Sequence, residues 1–267
     1  MKRSGLQNLL DSGVRGQRVF VRADLNTPIA DGEVVDDTRI RAALPTLKAL
    51  QEAGARVVLA SHLGRPKGKP DPKSSLRPVA ARLGELLGQE ISFASTCVGS
   101  EAREAAATLQ DGEILLLENL RFHPGEEAND PEFARSLAEL ADVYVNDAFG
   151  TSHRAHASTA GVVPLLGAAF AGQLLELELE KLDVVRNPKR PLLCLLGGAK
   201  VSDKLSVLEA LAPHADTLAI GGAMAYTFLR AQGVDVGSSR VEENKLWTAK
   251  KILARAQEEQ VEVLLPE

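Results

Sequence analysis

Short apolar runs recur along this chain, each followed by a polar tip and then by a stretch with helical spacing. Residues 18–23 (RVFVRA), 56–61 (RVVLAS), 114–117 (ILLL) and 143–145 (VYV) are too short for helices. They are also too continuously apolar for strands with one wet face, so they read as parallel strands covered on both sides. Between them the period changes. Ile40, Leu44, Leu47 and Leu50 share one face of a helix starting near Thr38, in which Pro45 predicts a kink and Gly54 a stop. Val79, Leu83 and Leu86 repeat the pattern after Ser75, and Asp130-Pro131 caps a helix carrying Phe133, Leu137 and Leu140. Asp31-Gly32 predicts a hairpin turn, and 91–93 a further short strand. Alternating strands and helices imply an α/β fold with a doubly wound, Rossmann-like parallel sheet.

Residues 172–186 alternate Leu and Glu, which locally mimics a strand. Both are strong helix formers and no breaker interrupts them, so the segment is predicted as a helix with Leu175, Leu179 and Leu182 on one face, ended by Asn187-Pro188. The pattern then restarts: strand at 192–196, helix at 202–211, strand at 217–220, helices at 223–231 and 242–260, strand at 261–265. The expected organisation is a domain over 1–171, a linking helix over 172–188, and a second α/β domain over 189–267. With three strands the second is a small, open and incomplete sheet.

A length of 267 residues suits about two domains. A net charge of −5 argues against a general nucleic-acid or membrane-surface binder, so the cations here must act locally. Cys97 and Cys194 are the only cysteines and form no CxxC, which argues against a disulfide scaffold or zinc site and fits a reducing cytoplasm. Met1-Lys2-Arg3 is basic, but no apolar run follows, so no signal peptide is expected. The longest apolar stretch, 162–171, contains Pro164 and Gly167 and is too short to span a bilayer.

Chemistry gathers at the strand tips. Asp24, Asn26, His62, Arg65, Arg121, His153 and Arg154 all lie just past the carboxyl ends of strands, where α/β sheets bind ligands. The segment 146–156 (NDAFGTSHRAH) places His153, Arg154 and His156 within four positions. A single loop arginine is ordinarily solvated, and a single histidine past a strand is ordinarily structural. Several converging on one sheet edge repel each other unless an anion sits among them, and the planar fork of Arg suits phosphate or carboxylate. In the second half, Gly197-Gly198-Ala199-Lys200-Val201-Ser202-Asp203-Lys204 joins a strand to a helix and offers glycines and free N–H groups to a phosphate. It is not GxxxxGK[ST]. Lys204 falls in the predicted first helical turn, beside the positive dipole end, which favours a bound anion there. An acid carrying phosphate on one domain and a nucleotide on the other point to phosphoryl transfer.

These motifs, with RADLNTP at 22–28, SHLGRP at 61–66 and LENLRFHPGEE at 117–127, resemble the phosphoglycerate kinase family from end to end. The resemblance implies two α/β domains facing a cleft, and reversible transfer between 1,3-bisphosphoglycerate with ADP and 3-phosphoglycerate with ATP, using Mg²⁺. It implies that Asp24, Leu25, Asn26, Arg39, His62, Leu63, Gly64, Arg65, Arg121, His153 and Arg154 surround the phosphoglycerate. Arg65, Arg121 and Arg154 would hold its non-transferred phosphate. Arg39 and Lys204 would neutralise the migrating group, and Gly197, Gly198, Lys200, Gly221 and Gly222 would lie on the nucleotide side. Family members continue past residue 267, where the metal-binding Asp is expected, so the resemblance also implies a fragment with weak or no turnover. A cytoplasmic monomer follows from the same resemblance. The alternatives are a catalytically dead 3-phosphoglycerate-binding module and a nucleic-acid-binding regulator; the acidic total and 4% aromatic content weigh against the latter.

Overall fold

The computed structural model describes residues 4–185, 187–202 and 204–266. The strands in chain order are β1 (Arg18–Ala23), β2 (Ile29–Ala30), β3 (Glu33–Val34), β4 (Arg56–Ala60), β5 (Ser92–Ala94), β6 (Ile114–Leu117), β7 (Val143–Asp147), β8 (Ala169–Ala171), β9 (Leu193–Gly197), β10 (Thr217–Gly221) and β11 (Glu262–Leu264). The helices are α1 (Leu6–Asp11), α2 (Thr38–Glu52), α3 (Arg77–Leu87), α4 (Ser100–Thr108), α5 (Pro124–Glu127), α6 (Pro131–Ala138), α7 (Gln173–Asp183), α8 (Leu205–Leu211), α9 (Met224–Ala231) and α10 (Leu246–Glu258). Contacts divide the chain into two compact units, one up to Glu178 and one from Leu179.

In the first unit six strands form one sheet in the order β5-β6-β4-β1-β7-β8, every pair parallel. Each central strand sends alternate side chains to two separate cores. Val19, Val21, Val57, Leu59, Ile114, Leu116 and Val145 pack on one face with Leu6, Ile40, Leu47, Leu50, Val79 and Leu83 of α1, α2 and α3. Phe20, Val58, Ala60, Leu115, Leu117 and Tyr144 pack on the other with Ala102, Ala106, Phe133 and Leu137 of α4 and α6. This two-sided cover is why the strands read as continuous apolar runs.

Local signals act as their chemistry dictates. Asp31 and Gly32 both take positive φ (53° and 80°) in the two-residue turn between antiparallel β2 and β3. The Asp130 side chain accepts from the N–H groups of Glu132 and Phe133, with Pro131 at the first helical position. α2 ends before Gly54 (φ +78°) and runs uninterrupted through Pro45, with Leu44 only half-buried. Four elements went unforeseen: the short helices α1 and α5, α4, whose buried stripe is only Ala102 and Ala106, and the short β8. α3 starts at Arg77, two residues after Ser75, whose Oγ accepts from Arg77 N.

α7 confirms a helix after Gly172, but its face is corrected. Leu175 is buried, Leu179 half-buried, and Leu182 exposed. The helix ends at Asp183, and Arg186, the predicted end, lies outside the described residues. No described helix is long and apolar enough to cross a membrane.

The second unit has three parallel strands in the order β11-β10-β9. Cys194, Leu196, Leu218 and Ile220 pack against Leu208, Phe228, Ala249 and Ile252 of α8, α9 and α10. The other face is bare: Leu193 is 60% and Leu195 80% exposed. The predicted helix over 242–260 is split into a 3₁₀ turn, Glu243–Lys245, and α10.

Candidate active site

The loops after β1, β4, β6 and β7, four neighbouring strands, meet beyond the carboxyl edge of the first sheet. The chain leaves β1 toward β4 on one side and returns with β7 on the other, the topological switch at which such sheets bind ligands. A pocket of about 260 Å³ opens there, lined by Asp24, Asn26, Arg39, His62, Gly64, Arg65, Arg121, Gly150, Thr151 and Arg154. Four guanidiniums thus face one carboxylate in a small space.

Each group is held by a local bond. Arg39, in the first turn of α2, is ion-paired with Asp24. Asn26 Oδ1 accepts from Gly64 N at 2.8 Å, which leaves its amide N–H₂ as a donor. Gly64 takes φ +62°, and its carbonyl accepts from Arg121 Nη1 at 2.8 Å. Arg121 Nε lies 3.2 Å from Glu127 Oε1, in ionic contact but not aligned for a hydrogen bond. Burial lowers the Arg121 pKa, partly offset by Glu127. Arg65 is exposed and Arg154 half-buried at the rim. Leu25 and Leu63 are core residues behind the pocket: Leu25 N donates to Ser61 Oγ and Leu63 N to Asn119 Oδ1, which fixes the path of both tips.

His62 is buried, and its Nδ1 lies 3.1 Å from Arg22 Nη2. Burial, then the positive charges of Arg22, Arg121, Arg154 and Arg39, push its pKa down to about 2. Both causes favour the neutral ring. His153 does not line the pocket. It is exposed, and its Nε2 accepts from Arg154 Nε at 3.3 Å. Arg22, part of the motif at 22–28 but not singled out, is the fully buried guanidinium behind His62.

In the second unit, Gly197 and Gly198 span the end of β9, and Gly221 and Gly222 the end of β10. The two turns touch: a side-chain carbon on Gly222 (φ +69°) would lie 2.9 Å from the Gly198 carbonyl oxygen, which accepts from Met224 N at 2.9 Å. Lys200 and Lys204 are exposed. α8 starts at Leu205, so Lys204 stands at the cap position and not inside the first turn. Asp203 of the loop lies outside the described residues. Among the described residues no group of three or more His, Cys, Asp or Glu could hold a metal ion.

A family model described as phosphoglycerate kinase matches residues 9–267. The chain belongs to the phosphoglycerate kinase family. It is 54% identical over 257 residues to a phosphoglycerate kinase of Akkermansia muciniphila, covering 96% of this chain and 64% of that one. It is 53% identical to that of Acaryochloris marina, covering all of this chain and 67% of the relative. The phosphoglycerate kinase of Coxiella burnetii has a similar structure, with TM-score 0.84 and 41% identity over 95% of this chain and 64% of that one. That of Pyrococcus horikoshii has TM-score 0.82 at 33% identity, over 100% and 67%. The chain therefore spans about two thirds of the length of the phosphoglycerate kinases it matches, and shares their α/β fold of parallel sheets.

Proposed function

We propose that the pocket of the first unit binds 3-phosphoglycerate and 1,3-bisphosphoglycerate, and that the chain serves reversible phosphoryl transfer with ATP and ADP in glycolysis. The observation that carries this reading is the convergence of Arg39, Arg65, Arg121 and Arg154 with a neutral His62 on one small pocket. Family membership supports it.

Arg65, Arg121 and Arg154 hold the non-transferred phosphate through charge-assisted hydrogen bonds. Asp24 accepts from the substrate hydroxyl, and the Asn26 amide donates beside it. The substrate carboxylate has a pKa of about 4, so it attacks, or leaves, as an anion and needs no general acid or base. Positioning and charge neutralisation then supply the catalysis. Arg39 and Lys204 neutralise the migrating phosphoryl group, and the paired glycine turns with Lys200 take the nucleotide phosphates. Mg²⁺ enters with the nucleotide, and no described residue cluster is assigned to it. α7 is the link between the phosphoglycerate-binding and nucleotide-binding parts. The protein acts in the cytoplasm as a monomer, with no nucleic-acid or membrane partner.

Titration calorimetry with 3-phosphoglycerate tests the pocket. Binding that weakens at least tenfold in Arg121→Ala or Arg65→Ala is expected. Absence of binding, or affinity indifferent to both substitutions, would refute the reading. Binding without turnover in a coupled ATP assay would mark a phosphoglycerate-binding module.

A further inference from the structure

Behind the pocket lies a buried polar chain, Arg22, Ser158 and Glu126, none of which lines it. Arg22 is 1% exposed, on the face of β1 that also carries Phe20. Its Nε donates to Ser158 Oγ at 2.9 Å, its Nη1 to the Ala23 carbonyl, and its Nη2 to His62 Nδ1 at 3.1 Å. Ser158 Oγ donates onward to Glu126 Oε1 at 2.6 Å, and Ser158 N to Glu126 Oε2 at 3.0 Å. Glu126 and Ser158 are both 0% exposed.

We infer that Glu126, Ser158 and Arg22 form a positioning relay that fixes the tautomer of His62, so that its Nε2–H is presented as an uncharged donor to the pocket's anion. An arginine can only donate, so Nδ1 must be the acceptor and the ring's one proton sits on Nε2. A doubly protonated ring would set two donors against each other beside the guanidiniums of Arg121, Arg154 and Arg39. The direction of every bond follows from Glu126, which accepts twice from Ser158 and so leaves Ser158 Oγ free to accept from Arg22. Glu126 also balances the Arg22 charge locally. The positive wall of the pocket is then made by Arg39, Arg65, Arg121 and Arg154, without Arg22. His156 Nδ1 stands 3.8 Å from Glu126 Oε1 without a hydrogen bond, so it does not divert the carboxylate.

Only the ligand-binding arm of the test rests on the phosphoglycerate reading. In the unsubstituted chain, nitrogen-15 NMR of the His62 ring is expected to show the Nε2–H tautomer unchanged from pH 5 to 8. An Nδ1–H tautomer, or titration near the ordinary 6.5, would overturn the relay. Ser158→Ala deletes one hydroxyl and both its bonds. It is expected to mix the tautomers and weaken 3-phosphoglycerate binding about tenfold, the loss of one hydrogen bond's worth of alignment. Ser158→Thr, which keeps the hydroxyl, restores both. An unmixed tautomer in folded Ser158→Ala contradicts the proposal. So does a further loss of affinity when Ser158→Ala is added to His62→Gln, because a relay acting through His62 has nothing left to position. If 3-phosphoglycerate fails to bind the unsubstituted chain, the pocket reading falls and the tautomer alone decides the relay.

Discussion

β4 and β9 are both five-residue strands, RVVLA and LCLLG, yet four of five residues are buried in β4 and only two of five in β9. The difference is cover. β4 lies between helices on both faces, whereas β9 has helices on one face and exposes Leu193 and Leu195 on the other. The contrast extends to buried polarity. Among the described residues, Arg22, His62, Glu118, Arg121, Glu126, Asp147 and His156 are buried in the first unit, while Thr227 is the lone buried polar residue of the second. A sheet sealed on both sides excludes water, so polar groups inside it depend on one another for partners, and the candidate pocket is backed by the buried chain from Glu126 through Ser158 and Arg22 to His62. The second unit, sealed on one side, keeps its candidate ligand groups, Lys200 and Lys204, in solvent.

The largest effect expected from this contrast follows removal of one buried charge. Glu126→Ala leaves Arg22 without its counter-charge and should destabilise the first unit by about 3–5 kcal/mol. A urea titration reporting under 1 kcal/mol would mean that water reaches Arg22. Next is Leu116→Ala in β6, which should cost about 2–5 kcal/mol as a cavity in the sealed core. A cost as small as a surface substitution would show the cover to be loose.

pH sharpens the comparison further. Burial raises the Asp147 pKa from 3.8 to about 6, against the N–H of Leu175, which it accepts at 3.1 Å. Its folded value lies above its unfolded one, so the native state binds the proton more readily. The carboxyl's penalty is full above pH 6 and is relieved as pH falls toward 4. Asp147→Asn should therefore stabilise the chain at pH 7, by up to about 3 kcal/mol, and that advantage should fade by pH 4. His62 has the opposite sign: its depressed pKa costs stability as pH falls below 6.5. The Asp147 contribution must be read as the difference between variant and parent. A constant difference from pH 4 to 7 would place Asp147 in water. The second unit has no such group among its described residues, so an unfolding step confined to it should lack the Asp147 dependence. The smallest effect belongs to Leu195→Thr on the bare face, expected within about 0.5 kcal/mol of the parent. A loss comparable to Leu116→Ala would mean that the face is covered in solution.

The sealed sheet was the easier to read from sequence because both faces select aliphatic residues. β1 and β6 are bounded as predicted, and β7 extends the predicted run by two residues. α4 escaped notice because a stripe of Ala102 and Ala106 carries little apolar contrast. Leu193 and Leu195 look as buried as Val57 and Leu59 in sequence, since side-chain identity does not report whether a second layer is present. At the pocket, Asp24, Asn26, His62, Arg65, Arg121 and Arg154 could be found because strand ends in an α/β sheet point to one edge. Their support could not. Arg22 meets Ser158 across 136 positions and Ser158 meets Glu126 across 32, and no periodicity encodes such a partnership. His153 fell outside the pocket lining because a turn as tight as 149–154 can send neighbouring residues in different directions.

The touching turns after β9 and β10 set a rule for laboratory evolution of this chain. Gly197 and Gly221 have open space around them and should accept small residues, whereas Gly222 has neither the room nor the backbone angle for any side chain. In a saturation library sorted for folded protein, diversity should survive at the first two positions, while the third should return only glycine.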